Sequence, residues 1–178
     1  MKPNKNLTIQ FRAKTFNFAS FFLPRKIKKD IENLYIFCRY LDDIGDQNNN
    51  NKKIALKKLN QIKKELVNKH TANSIITNFI HLQNKYDIKN KFAFHLIEGI
   101  KSDLKKDVEI EDEKELMFYC YSVAGTVGYM FCKIINVTDK KLMLRAIQLG
   151  IGMQRTNISR DVKEDLELNR IYLPKKKR

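Results

Sequence analysis

The chain has 178 residues, 43% of them hydrophobic, with only 6 glycines and 3 prolines and a formal net charge of +15. That length and apolar content exclude a disordered chain and fit one domain burying roughly 70% of its unfolded surface. No window reaches eighteen uncharged apolar residues, so no membrane span is expected, and the opening MKPNKNLTIQFRAK lacks the apolar run of a signal peptide. Cys38, Cys120 and Cys132 sit inside apolar runs without CxxC spacing. They are expected to be core thiols of a reducing, cytoplasmic compartment. The lysines are scattered among asparagines, as in QNNNNKK (47–53). The basic surplus therefore reads as solvated surface, with attraction to an anionic surface as the alternative. A nucleic-acid module would need aromatics interleaved with its basic face. Here the aromatics lie in the apolar runs, so no nucleic-acid partner is expected.

In chain order, TIQFRAKTFNFASFF (8–22) predicts a first helix, stopped by Leu23-Pro24. A second helix is predicted over 27–46, broken by the asparagine run. Residues 52–69 repeat Ile54, Leu56, Leu59, Ile62 and Leu66 at helical spacing. Shorter helices are predicted near 72–84 and 89–105. KKDVEIEDEKEL is a connection and a helix start. Two long apolar helices are expected over 113–136 and 139–167, after which NRIYLPKKKR stops without a closing helix. No repeat or linker interrupts the pattern, and the class is all-α in a single domain over 1–178.

Two acidic seams stand out. Asp42 and Asp46 are an i, i+4 pair on one helix face, Asp43 pairs with Arg39 at i−4, and Tyr35 lies one turn before Arg39. Far down the chain, Asn157, Asp161 and Asp165 repeat at i, i+4 and i+8, with Arg160 and Glu164 beside them. Both seams adjoin strongly apolar turns. One such cluster fits a solvated face or a helix cap; two with the same build call for a cation between them, since unpaired carboxylates near a core are costly. Oxygen ligands without His or Cys favour Mg²⁺. His70, His81 and His95 fall outside both seams and lack zinc-type spacing. Two acidic walls around Mg²⁺ can hold a diphosphate, with Arg39 and Arg160 adding charge-assisted hydrogen bonds. An apolar remainder of the cavity would suit a hydrocarbon chain and shield an allylic cation.

The stretches YIFCRYLDDIGD (35–46), YCYSVAGTVGYM (119–130) and GIGMQRTNISRDVKEDLELNRIYLP (150–174) resemble the squalene/phytoene synthase family, bacterial phytoene synthases most of all. KTFNFASFFLP (14–24) matches its opening motif, with Thr15-Phe16 where Ser-Phe is usual. The resemblance implies an all-α isoprenoid (terpenoid) synthase fold. It implies Mg²⁺-dependent head-to-head condensation of two prenyl diphosphates, with the first ionising and its cation attacked by the double bond of the second. Phytoene from geranylgeranyl diphosphate, for carotenoid biosynthesis, is the expected product, and NADPH is then not expected. Squalene-type condensation of farnesyl diphosphate is the alternative.

Carried over by motif, Asp42, Asp46, Asn157, Asp161 and Asp165 are expected to hold metal, supported by Asp43. Tyr35, Arg39 and Arg160 are expected on diphosphate, and Tyr119 and Gln154 at the reaction centre. Phe16, Val123, Val127, Gly125 and Gly128 are expected along the isoprenoid tail. For the two glycines, tight helix packing is the competing explanation, because a helix-interior glycine costs about 1 kcal/mol against alanine. Peripheral contact with a membrane is compatible with a lipid product. Three departures stand out. Arg155 replaces a usually apolar residue, and Arg12 stands near Lys14 where histidine is common. Members of the family also continue through further C-terminal helices beyond YLP, which here is followed by four residues. A partial domain with a cavity open on one side is therefore expected, with a relative that binds prenyl diphosphate without turnover as a further alternative.

Overall fold

The computed structural model describes residues 24–47, 51–105 and 107–175. The predicted helix over 8–22, with Phe16 and Arg12, lies outside the described residues. Among the described residues the helices are α1 (Arg25–Gln47), α2 (Lys52–Asn68), α3 (Ser74–Tyr86), α4 (Asn90–Ser102), α5 (Glu113–Cys120), α6 (Thr126–Ile134), α7 (Lys140–Arg160) and α8 (Val162–Glu167). A π-helical turn, Tyr121–Gly125, joins α5 to α6. The strands β1 (Val108–Glu109) and β2 (Arg170–Ile171) pair in parallel, Val108 opposite Arg170.

Local chemistry explains most boundaries. Asn51, Asn73, Asp112 and Asp139 each cap a helix start by accepting a hydrogen bond from a backbone N–H two or three residues on. Lys69 and Asp87 close α2 and α3 in the left-handed conformation. In α2 the buried residues are Ala55, Leu59, Ile62 and Leu66, one stripe of an amphipathic helix. Ile54 and Leu56 fall outside it and stay exposed.

Two predicted long helices are interrupted. The run over 113–136 carries the π turn, in which the Thr126 N–H reaches back to the Tyr121 carbonyl. The run over 139–167 bends at Asp161, whose N–H still bonds the Asn157 carbonyl at 2.9 Å. Neither interruption has a Gly-Pro signal, so periodicity alone read through both. The small parallel ladder is the one departure from an all-helical chain among the described residues.

Two apolar clusters form the interior. The larger lies between α1, α2, α3, α4 and α6 and includes Phe37, Leu41, Phe79, Leu96 and Met130. Phe37 and Phe79 stack at 3.7 Å between ring centroids. The smaller holds Val108, Ile110, Leu116, Tyr119, Cys120, Ile158 and Tyr172. It ties the strand pair to α5 and to the far end of α7. α7 rests on α6 and the π turn. Leu142, Leu149 and Met153 on its other faces are 49%, 66% and 62% exposed. No described helix is long and apolar enough to cross a membrane.

Candidate active site

The buried stripe of α1 is Ile31, Leu34, Phe37, Leu41 and Ile44. Tyr35, Arg39, Asp42 and Asp46 fall on its other side. The first acidic seam is therefore not a charge cluster inside the core. Asp42 is 53% exposed in its side chain, and it lines a cavity of about 370 Å³. That volume is within the usual range for small-ligand sites, ~300–1,000 Å³.

Five elements build the cavity. α1 supplies Tyr35, Cys38, Arg39 and Asp42; α7 and the bend after it supply Gln154, Asn157 and Asp161. Tyr119 and Val123 enter from α5 and the π turn, and Leu96, Ile100 and Asp103 from α4. Eight of the residues expected from the sequence thus meet around one space, although they lie up to 126 positions apart (Tyr35 to Asp161). The polar ends of α1 and α7 form one side. Leu96, Ile100 and Val123 form an apolar wall on the other.

Each seam carries its own guanidinium. Arg39 bridges Asp42 (Nη1 to Oδ2, 2.8 Å) and Asp43 (Nη2 to Oδ1, 2.8 Å). Arg160 grips Asp161 with two bonds of 2.6 Å, Nε to Oδ1 and Nη2 to Oδ2. Asn157 donates from Nδ2 to Gln154 Oε1 at 3.4 Å. The pKa of Asp42 is pushed up by desolvation and then by the Asp46 charge, against the pull of Arg39. That of Asp165 rises to about 6 through desolvation, with Arg170 opposing and Asp161 and Glu164 adding to it.

Sequence reading missed three residues here. Arg170 on β2 is 12% exposed and lies 4.0 Å from Asp46. Its charge is also felt by Asp42, Asp103 and Asp165, so it stands between the two seams. Asp103, at the end of α4, accepts hydrogen bonds from the hydroxyls of Tyr119 (3.1 Å) and Tyr172 (2.7 Å). Leu96, Ile100 and Asp103 follow i, i+4, i+7, so they share one α4 face. That spacing marks only a shared face; what Asp103 meets there is set by the fold. Arg170 and Tyr172 were visible only as part of the RIYLP motif.

The remaining expectations divide. Val127 packs against the large core cluster. Gly125 and Gly128 lie against α7: a Cβ on Gly128 would meet the Ala146 carbonyl oxygen at 2.5 Å, and one on Gly125 would meet Ile147 Cγ2 at 3.1 Å. Both glycines thus stand at a close helix contact, the packing alternative named for them. Arg155 points away from the seam and pairs with Glu113 at 2.6 Å. Cys38, Cys120 and Cys132 are free thiols, and His95 is satisfied locally through Tyr121 Oη at 3.2 Å.

Among the described residues, no group of three His, Cys, Asp or Glu side chains closes on one point as a metal cage. The carboxylates instead turn to Arg39, Arg160 and Arg170. The donor set still fits a hard ion. It is oxygen-only, and Asp42 and Asp165 are both raised in part by neighbouring carboxylates, the excess of negative charge that a cation relieves.

The fold and this paired-seam cavity define an isoprenoid synthase architecture, as two solved likenesses show. A dehydrosqualene synthase crystallised with a ligand superposes with a TM-score of 0.79 at 30% identity, over 95% of this chain and 59% of its own. Squalene synthase HpnC from Alicyclobacillus acidocaldarius shares the fold with a TM-score of 0.78 at 24% identity. The family model for squalene/phytoene synthase matches residues 10–177, and the chain belongs to that family. The 15-cis-phytoene synthase of Pantoea ananas is 29% identical over 178 residues, 94% of this chain and 57% of its own length. The phytoene synthase of Thermus thermophilus is 48% identical over 90 residues. The chain thus spans about three fifths of the length of the Pantoea relative and of the solved dehydrosqualene synthase.

Proposed function

We propose that this chain is a prenyltransferase that ionises prenyl diphosphates between its two acidic seams and joins two geranylgeranyl units head to head into phytoene. The observation that carries the reading is the shared cavity: Asp42 of one seam and Asn157 and Asp161 of the other face it together with Tyr119 and Gln154. Mg²⁺ would be held by Asp42 and Asp46 on one side and by Asn157, Asp161 and Asp165 on the other, with Asp43 in support. When bound it neutralises the departing diphosphate.

The chain's own groups do the rest. Tyr35 and Arg39, which line the cavity, and Arg160, which holds Asp161 beside it, would donate hydrogen bonds to diphosphate oxygens. To do so, Arg39 and Arg160 must loosen the carboxylates they now hold. The C–O bond breaks with its electron pair leaving on the diphosphate. Leu96, Ile100 and Val123 keep water from the allylic cation, which the double bond of the second substrate then attacks. Proton loss closes a cyclopropylcarbinyl diphosphate; its own C–O bond then breaks, the second diphosphate leaves with the electron pair, and the rearranged cation loses a proton to give phytoene, so no reductant is needed.

The test is incubation of the purified chain with geranylgeranyl or farnesyl diphosphate and Mg²⁺, with and without NADPH, followed by hydrocarbon and diphosphate analysis. Phytoene and two diphosphates per product are expected, lost in Asp42→Ala and in Asp161→Ala. Undiminished release from both variants would sink the metal roles. A farnesyl-derived product would shift the reading to squalene-type condensation. A second reading, prenyl-diphosphate binding without turnover, is favoured by the carboxylates being held by Arg39, Arg160 and Arg170. Saturable binding with no hydrocarbon would establish it.

A further inference from the structure

Asp103 is a carboxylate behind the reaction cavity that belongs to neither acidic seam. It ends α4, sits among the cavity's lining, and uses each of its oxygens once. Oδ2 accepts from Tyr119 at 3.1 Å, and Oδ1 accepts from Tyr172 at 2.7 Å. The two phenol rings stack at 4.7 Å with a tilt of 21°. Tyr172 follows β2, whose register is set by pairing with β1 only five residues beyond Asp103. Val108, Leu116 and Ile158 pack around both tyrosines. One carboxylate therefore joins α4, α5 and the end of β2.

Packing alone does not account for it. Two phenylalanines and an apolar residue would fill the same space without burying a charge, a replacement that is often neutral or stabilising. The cost of burial is visible, since desolvation raises Asp103 to about 6 despite Tyr172, Arg170 and Tyr119. What the arrangement adds is direction. A tyrosine hydroxyl has one proton and two acceptor lone pairs. With the Tyr119 proton committed to Asp103, only the oxygen's lone pairs remain to meet a substrate, and they suit an electron-poor carbon.

Resting on the prenyltransferase reading, we infer that Asp103 is a positioning residue: clamped by Tyr172, it fixes the Tyr119 hydroxyl so that its oxygen faces the reacting carbons. The test is a double-mutant cycle on Mg²⁺-dependent diphosphate release from geranylgeranyl diphosphate. Asp103→Asn is expected to lower kcat about 10- to 100-fold with KM within about twofold of the parent. In a Tyr119→Phe background the same substitution is expected to cost no more than about twofold, because the residue it acts through is gone. A full additional loss there overturns the inference. Tyr172→Phe removes the clamp more gently and serves the same cycle should Asp103→Asn fail to fold. Independently of turnover, proton NMR of the metal-free protein should show a hydrogen-bonded Tyr119 hydroxyl that moves in Asp103→Asn and in Tyr172→Phe. Absence of that resonance, or its indifference to both variants, also overturns the inference. A wild-type chain that releases no diphosphate defeats the functional reading alone, and the hydroxyl resonance then decides the clamp.

Discussion

Gly128→Ala tests the helix-packing account of the glycine step most directly. An added Cβ would lie 2.5 Å from the Ala146 carbonyl oxygen and 3.1 Å from its carbon. Both are backbone atoms inside α7, so no side chain can swing aside; α6 and α7 must separate. Gly150 mirrors the contact from the other helix, with its Cβ 2.6 Å from the Ala124 carbonyl oxygen. Overpacking of this kind costs roughly 1–3 kcal/mol, and the gain in helix propensity returns about 1 kcal/mol. With backbone on the receiving side the cost falls at the upper end, leaving a net loss of about 1–2 kcal/mol. For a chain of this size that lowers Tm by roughly 2–8 °C. Gly152 is the control, since nothing lies within 4 Å of its added Cβ. Gly152→Ala keeps only the propensity gain and should raise Tm by about 2–4 °C. Thermal melts followed by far-ultraviolet circular dichroism read both. If the glycine step served only a substrate tail, Gly128→Ala would melt above wild type and lose activity alone. A Gly128→Ala protein at least as stable as wild type refutes the packing account.

Arg170→Met removes the cation standing between the seams and should destabilise the metal-free protein by roughly 2–4 kcal/mol at neutral pH, discounted for the half-exposed Asp46. The loss should shrink as Asp103 and Asp165 protonate below about pH 6. Equal losses on both sides of that range would contradict the assigned role, and denaturant melts across pH decide it. Those two carboxylates titrate in the folded chain above their ordinary value of 3.8. Their contribution to metal-free stability is therefore full below that value and lost as pH rises through about 6. As a ligand in the proposed metal site, Asp165 would have to be deprotonated, so Mg²⁺ affinity should fall as pH drops below about 6. Titration calorimetry showing pH-independent binding would exclude Asp165 as a ligand. Arg155→Ala loses an exposed ion pair with Glu113 and should change stability by less than about 1 kcal/mol and diphosphate release by less than about twofold. A large drop in turnover would place Arg155 in the site after all.

What the amino-acid order decided by itself is whatever depends on neighbours within a turn or two. The i, i+4 spacing put Asp42 with Asp46, and Asn157 with Asp161 and Asp165, because helix geometry is local. In α2 the same periodicity gave Leu59, Ile62 and Leu66 of the buried stripe, while Ile54 and Leu56 stay exposed. Helix starts at Asn73, Asp112 and Asp139 needed only a capping side chain and the next few N–H groups. The motifs in those same stretches placed the chain in its family.

Other features needed elements that meet only in the folded molecule. Whether Gly128 faces a ligand or a helix depends on where Ala146 lies, and nothing on α6 records that. Asp103 reads as an ordinary helix end until Tyr119, 16 residues on, and Tyr172, 69 residues on, bring their hydroxyls to it. Arg170 looked like one basic residue among many until β1 pairing carried it between the acidic seams. The π turn and the bend at Asp161 reflect how the chain accommodates those meetings, and local propensity has no term for them. "RYLDDIGD" was legible as charge beside a core. Only the packing of α1 against α4 and α6 put Asp42 on the lining of a cavity.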